Sequence, residues 1–205
     1  SVGGSIMKVK KRWLVILSLT ICLGVILYSS KYSLDVTEYT LSSAKLPDAF
    51  DGYRIVQLSD LHAMEFGKEN ARLIRAVQTL SPDLIALTGD FIECAEDIPI
   101  TEHLVSALAH IAPVYFCSGN HDWASGAATD LRQAIEGAGG VYLGECCETI
   151  TLDGQSIVIA GVEDPNSYAD LIHPDEFLDA VVREHPDAFT ILLGHRNDWV
   201  QQYPE

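Results

Sequence analysis

Positive charge is scarce in this chain. Of 205 residues, 13 are Lys or Arg and 29 are Asp or Glu, a formal charge of −16. Five of the basic residues (Lys8, Lys10, Lys11, Arg12 and Lys31) lie in the first 31 positions, which contain no acid. The remainder sets eight basic residues against all 29 acids. That deficit excludes a protein that coats nucleic acid, because such binding is driven mainly by Lys and Arg. It also means that the domain repels anionic ligands unless something positive sits in its binding site. Cysteine gives no framework either. The five (Cys22, Cys94, Cys117, Cys146, Cys147) are odd in number and form no C-x-x-C pair. Free thiols with some burial are expected, not disulfides or a zinc-thiolate site. Repeats and low-complexity tracts are missing too. With 48% apolar and 20% charged residues the chain is neither disordered nor collagen-like, and its length suits one mid-sized domain.

What is present begins with a long uncharged run. No charged residue occurs from Trp13 to Ser30. At about 1.5 Å per residue, such a helix spans roughly 27 Å, close to a bilayer core. Trp13 and Tyr28 stand near its ends, where amphipathic rings favour an interface. The basic cluster before it predicts a single-pass anchor with a cytoplasmic N-terminus and the rest of the chain outside. A cleaved signal peptide has the same charge order but lacks here an A-x-A-like site, and a buried core helix lacks amphipathic neighbours. Residues 1–31 are therefore read as basic segment and anchor, and 32–205 as the domain.

From Tyr32 onward strands and helices alternate. Leu34–Leu41 reads as a strand by alternation and β-branched content. Arg54–Ser59, Asp83–Thr88, Val114–Cys117 and Phe189–Leu193 read as short apolar strands. Helical spacing covers Asn70–Leu80, Glu102–His110, Thr129–Ala138 (with Thr129 or Asp130 as cap) and Asp175–Glu184. Asp153-Gly154 between Thr149–Leu152 and Ser156–Ala160 marks a hairpin. The expected fold is α/β: two packed mixed β-sheets flanked by helices, after one N-terminal transmembrane helix.

Polar residues gather where the apolar strands end. Ser59-Asp60-Leu61-His62, Thr88-Gly89-Asp90, Ser118-Gly119-Asn120-His121-Asp122 and Gly194-His195-Arg196-Asn197-Asp198 each follow one. In α/β sheets ligands sit outside the carboxyl ends of strands, so the four loops should converge. Together they offer carboxylates, imidazoles and an amide oxygen. The glycines before Asp90, Asn120 and His195 permit sharp turns. A donor set with imidazole suits zinc, manganese or iron better than calcium. Gly-Asp alone is commonly a turn, whereas Gly-Asn-His-Asp after an apolar strand has little structural reason to exist.

These motifs resemble those of the calcineurin-like metallophosphoesterase superfamily, D-x-H, G-D, G-N-H-[DE] and G-H, over about residues 33–205. The stretches Arg54–His62, Pro82–Asp90 and Ala160–Pro165 are similar to its bacterial membrane-anchored branch of phosphodiesterases and UDP-2,3-diacylglucosamine hydrolases. The resemblance implies an αββα sandwich and hydrolysis of phosphodiester or pyrophosphate bonds by water activated at two divalent metal ions (Mn, Zn or Fe). It implies that Asp60 and His62 bind one metal, that Asp90 bridges both, and that Asn120 and His195 bind the other. His121 would lie beside the scissile phosphate, oriented by Asp122. The implied substrate is a small-molecule or lipid-linked phosphoester, with no nucleic-acid partner. The family's Gly-His-x-His does not occur in this sequence. The resemblance therefore leads to the expectation of a domain that stops before its last two histidine ligands. The same departure motivates a competing reading, a catalytically silent membrane-anchored scaffold, which the intact Asp60, His62, Asp90, Asn120, His121 and His195 oppose. Other residues are read more plainly. Glu93 and Glu96 could reach the cleft but are taken as solvated loop carboxylates, Glu163-Asp164-Pro165 could line it but is taken as a turn, and His103, His110, His173 and His185 are taken as surface or packing residues. Arg196 could meet a phosphate oxygen, and Trp123 could shape the leaving-group side or pack.

Overall fold

A computed structural model describes residues 2–167 and 174–196, with backbone only for residues 2–12, 27, 28, 30 and 31. The chain divides into two units, Ser1–Thr40 and Leu41–Glu205. In the first, helix α1 (Val2–Tyr32) carries the uncharged run, with Trp13, Leu14 and Leu17 exposed. Among the described residues no helix is long and apolar enough to cross a membrane. The expected strand Leu34–Leu41 does not form; these residues lack regular secondary structure and leave Tyr39 and Leu41 exposed. Alternation marks a segment fit for a sheet. A strand exists only where a neighbour takes its N–H and C=O groups, and among the described residues none does.

In the second unit, strands β1 (Ile55–Leu58), β2 (Leu84–Thr88), β3 (Val114–Cys117) and β4 (Val141–Tyr142) form one sheet in that order. Every pairing in it is parallel, which corrects the expectation of two mixed sheets. The cause is connectivity. Parallel neighbours need a crossover, and helices α2 (Ala71–Leu80), α3 (Ile98–Ala109), α4 (Asn120–Ala124) and α5 (Ala128–Gly137) supply it. The second sheet is mixed: β5 (Cys146–Leu152) runs antiparallel to β6 (Gln155–Gly161), and β6 runs parallel to β7 (Phe189–Leu193) after helix α6 (Pro174–Glu184). The hairpin turns at Asp153 and Gly154, both with positive φ, as an Asp-Gly turn requires. Helix α3 starts earlier than its periodicity indicates, with a proline in its first turn, where a missing N–H costs nothing. Helix α5 opens after Ala127 with no side-chain cap, so neither Thr129 nor Asp130 plays that part.

Period-two alternation divides the core. Leu84, Ala86, Tyr115 and Cys117 pack with Leu143, Ile159 and Leu193, joining the two sheets face to face. Val158, Ala160 and Val162, on the other side of the second sheet, meet Phe177 and Val181 of α6. Ile85 and Leu87 alternate to the remaining face of the first sheet, and are fully buried along with Leu104, Leu108, Leu131 and Ile135 of the helices.

The loops that leave the first sheet are bound to one another by their backbones. Asp60 N–H donates to Gly89 O (3.0 Å), His62 N–H to Asp90 O (3.0 Å) and Ala63 N–H to Phe91 O (2.8 Å). Gly89 takes a φ of +85°, while Gly119 is extended and is needed for a different reason: close approach. A Cβ on Gly119 would lie 2.2 Å from Asp90 Oδ1 and 2.5 Å from its backbone N. Gly119→Ala should therefore destabilise the chain by about 1–3 kcal/mol, as overpacking does. Gly137→Ala, in open space on α5, should be neutral or stabilise by up to about 1 kcal/mol. Denaturant midpoints check both. Equal midpoint shifts in the two variants would contradict the close-packed crossing of the loops.

Candidate metal centre

Three acidic or imidazole groups meet at the carboxyl end of the first sheet. His62 Nε2 lies 3.9 Å from Asp60 Oδ1 and 3.9 Å from Asp90 Oδ2. One ligand atom from each of Asp60, His62 and Asp90 falls within 4.8 Å of the others. From the second sheet, His195 brings Nε2 to 3.3 Å from the same Asp90 oxygen. Asp90 is buried, and its other oxygen accepts the His121 backbone N–H at 2.8 Å. Asn120 opens α4 at the same strand ends. Asp60, His62 and Asp90 all have positive φ (55°, 46° and 60°), a backbone state costing about 1–3 kcal/mol for residues other than glycine. The inter-loop hydrogen bonds hold that strain in place.

Hydrogen bonds fix which ring nitrogen faces the cluster. His195 Nδ1 donates to the Thr88 carbonyl at 2.8 Å, so in the neutral ring Nε2 carries the lone pair. A lone pair facing a carboxylate at 3.3 Å needs a proton or a cation between them. His62 is arranged likewise: Nδ1 donates to Glu93 Oε1, leaving Nε2 toward Asp60 and Asp90. Imidazoles held at Nδ1 and converging by Nε2 on carboxylates fit a transition-metal cation. His62, Glu93 and His121 form a second group whose ligand atoms also lie within 4.8 Å of one another.

Glu93, taken from the sequence as a solvated loop carboxylate, instead joins two rings of the cluster. One carboxylate oxygen accepts from His62 and the other from His121 Nδ1 at 3.0 Å, and the two rings stand edge-on 4.7 Å apart. These hydrogen bonds, that of His121 first, hold the Glu93 carboxyl below its usual range. In return, the bond to Glu93 raises the His121 imidazole above its usual range. A signal existed in Gly89-Asp90-Phe91-Ile92-Glu93, where two fully buried apolar residues separate two acids and return Glu93 to the site.

Asp122 does not play the part expected of it. Its carboxylate accepts no hydrogen bond from the His121 ring; it is fully buried and accepts backbone N–H groups from Asp90 (2.9 Å), Phe91 (2.8 Å), Ile92 (3.1 Å) and Gly119 (2.9 Å). Burial pushes its carboxyl up, against the downward pull of those donors. Adjacency in sequence misled because successive residues of a helix point about 100° apart. Arg196 is likewise committed elsewhere, donating from Nε and Nη2 to Asp164 at 2.6 and 3.0 Å. Trp123 Nε1 donates to Ser118 Oγ (2.8 Å) and Glu163 Oε2 (3.1 Å), so its indole is held by packing partners. His103 and His110 are exposed and His185 half-buried, while His173, Asn197 and Asp198 lie outside the described residues.

Over 182 residues the chain is 31% identical to the uncharacterized metallophosphoesterase YkuE of Bacillus subtilis (strain 168), covering 83% of this chain and 60% of that one. It is 36% identical over 99 residues to the UDP-2,3-diacylglucosamine pyrophosphatase LpxG of Chlamydia muridarum, covering 44% of this chain and 30% of that one. Among solved structures, the phosphopantetheinyl hydrolase PptH of Mycobacterium tuberculosis aligns with a TM-score of 0.43 at 18% identity, over 70% of this chain and 68% of that one. The chain spans 60% or less of the length of the two curated relatives. Residues 53–204, from just before β1 past His195, match the calcineurin-like phosphoesterase family, and the chain belongs to that family.

Proposed function

We propose that this chain is a metal-dependent phosphoester hydrolase acting on phosphodiester or pyrophosphate bonds. One observation carries the reading: His62 and His195, from loops after different sheets, both turn Nε2 toward the buried Asp90 carboxylate. Asp60, His62, Asp90, Asn120 and His195 would hold two divalent cations, with Mn, Zn and Fe the ions that suit carboxylate and imidazole together. When bound, these ions supply positive charge for the phosphate oxygens and acidify a water molecule. The chain's own residues do the rest. Glu93 holds His121 Nδ1–H, which leaves Nε2 as the ring nitrogen that would protonate the departing oxygen. The acidic surface leaves cations as the means of attracting a phosphate. The similarity to LpxG over 99 residues supports a lipid-linked pyrophosphate such as UDP-2,3-diacylglucosamine as the first natural substrate to test. Sequence alone supports the location: the uncharged run Trp13–Ser30 behind a basic cluster fits a membrane anchor with the domain on the outer side.

Hydrolysis of a chromogenic phosphodiester with added Mn²⁺, alongside bound-metal analysis, tests the reading. Metal binding without turnover of any phosphoester would favour a silent scaffold. His121→Ala should lower turnover by about 10²–10⁴-fold with metal retained, whereas Asp90→Asn should lose metal and activity together. Equal metal loss in the two would remove His121 from the acid role. The pH profile gives a further check. Because Glu93 raises the His121 imidazole, the protonated form persists to higher pH, and the alkaline limb of kcat/KM should lie above the ordinary histidine value of about 6.5. Glu93→Gln should move that limb downward, and an unmoved limb would detach it from His121. For the anchor, protease added to intact cells (spheroplasts if an outer membrane is present) should digest the domain; protection would refute an outward location.

A further inference from the structure

Two adjacent acids follow β6, and neither faces the cluster of Asp60, His62 and Asp90. Beyond the last register pair, Gly161 with Leu193, Val162 N–H donates to Leu193 O at 3.0 Å and extends the ladder by one step. There the side chains diverge. Glu163 reaches the first sheet: Oε2 accepts from Ser118 Oγ and from Trp123 Nε1 at 3.1 Å. Ser118 and Trp123 bracket the Gly119–Asp122 stretch that carries Asn120 and His121. Asp164 stays with the second sheet. Its side chain is fully buried and accepts Arg196 Nε at 2.6 Å and Nη2 at 3.0 Å, a two-point contact with the residue that follows His195. Oδ1 also accepts the Asn166 backbone N–H at 2.9 Å.

We propose that Glu163 and Asp164 act together as a clamp that sets the spacing between Asn120-His121 on the first sheet and His195 on the second. They are positioning residues, and this part of the inference rests on the metal-dependent reading of the site. Groups bonded directly to metal ligands commonly change affinity 10–100-fold when removed; Glu163 and Asp164 act one residue further back, through the neighbours of Asn120, His121 and His195, so the lower end of that range applies. A two-point arginine–carboxylate pair fixes direction as well as distance. Both acids are engaged by protein donors. Glu163 is occupied by serine and indole donors, and Asp164 is out of solvent.

The test uses the full chain in three variants. Glu163→Ala releases Ser118 and Trp123. Glu163→Gln keeps an acceptor oxygen for both and serves as the rescue. Asp164→Leu with Arg196→Met removes both partners together, so that Arg196 is not left without the buried Asp164 carboxylate, which keeps the fold testable. In the metal-free protein, long-range proton–nitrogen NMR follows the His195 ring and the Trp123 indole. The double variant should lose the hydrogen-bonded His195 Nδ1–H signal seen in the unmodified chain, and Glu163→Ala should shift the Trp123 indole while Glu163→Gln restores it. In Mn²⁺ titrations, Glu163→Ala and the double variant should each weaken one of two binding steps by about 10-fold, with Glu163→Gln close to the unmodified chain. Folded variants with unchanged ring signals, or with both binding steps weakened equally, would overturn the clamp. An unmodified chain that binds none of Mn²⁺, Zn²⁺ and Fe²⁺ would instead overturn the hydrolase reading, and the ring signals would still decide the clamp.

Discussion

Four backbone N–H groups, three from the loop after β2 and one from the loop after β3, converge on the carboxylate of Asp122. Burying a charge is expensive unless donors replace its water, and here the donors belong to the two loops that must be joined. The rest of the site follows from that junction. It draws Gly89 against Gly119 so closely that neither tolerates a Cβ. It leaves Asp90 in a left-handed turn with its carboxylate fixed, and Asp90 and Gly89 then offer the carbonyls from which His62 and Asp60 hang. The His121 backbone N–H closes the circuit on Asp90 Oδ1.

Much of the architecture was legible because its strands are buried apolar runs. Val114–Cys117 and Phe189–Leu193 appear with the bounds their composition indicates, and the Asp153-Gly154 turn is where a two-residue hairpin needs one. The misreadings share a cause: they concern properties that no single segment contains. Leu34–Leu41 has a strand's alternation but no partner among the described residues. Asn120–Ala124 reads as a loop because its polar residues serve the site, yet backbone bonds such as Ser125 N–H to His121 O make it a helical turn. Two-residue β4 is too short to carry a pattern.

The site divides in the same way. Asp60, His62, Asp90, His121 and His195 could be picked out as polar residues at the ends of apolar strands, and the fold does bring them together. The division of labour among their neighbours could not be seen. Asp122 and Glu93 are both acids near His121, by one residue and by 28. The distant one takes the ring because helix geometry turns the adjacent one inward to the backbone donors. Arg196 offered a cation beside the site until the fold placed a buried carboxylate against it.

One geometric fact reaches beyond chemistry. The nitrogen and oxygen that face each other across 3.3 Å, His195 Nε2 and Asp90 Oδ2, belong to different sheets of the sandwich. An ion lodged between them would be a cross-link as well as a reagent, so its uptake and the closure of the two layers would be thermodynamically linked. At a free concentration a hundred times its dissociation constant, such an ion adds about 2.7 kcal/mol to folding stability. That is a sizeable fraction of what holds a domain of this size together. A chelator would accordingly act on the ion-bound form as a mild denaturant, loosening the core from the end where the strands finish.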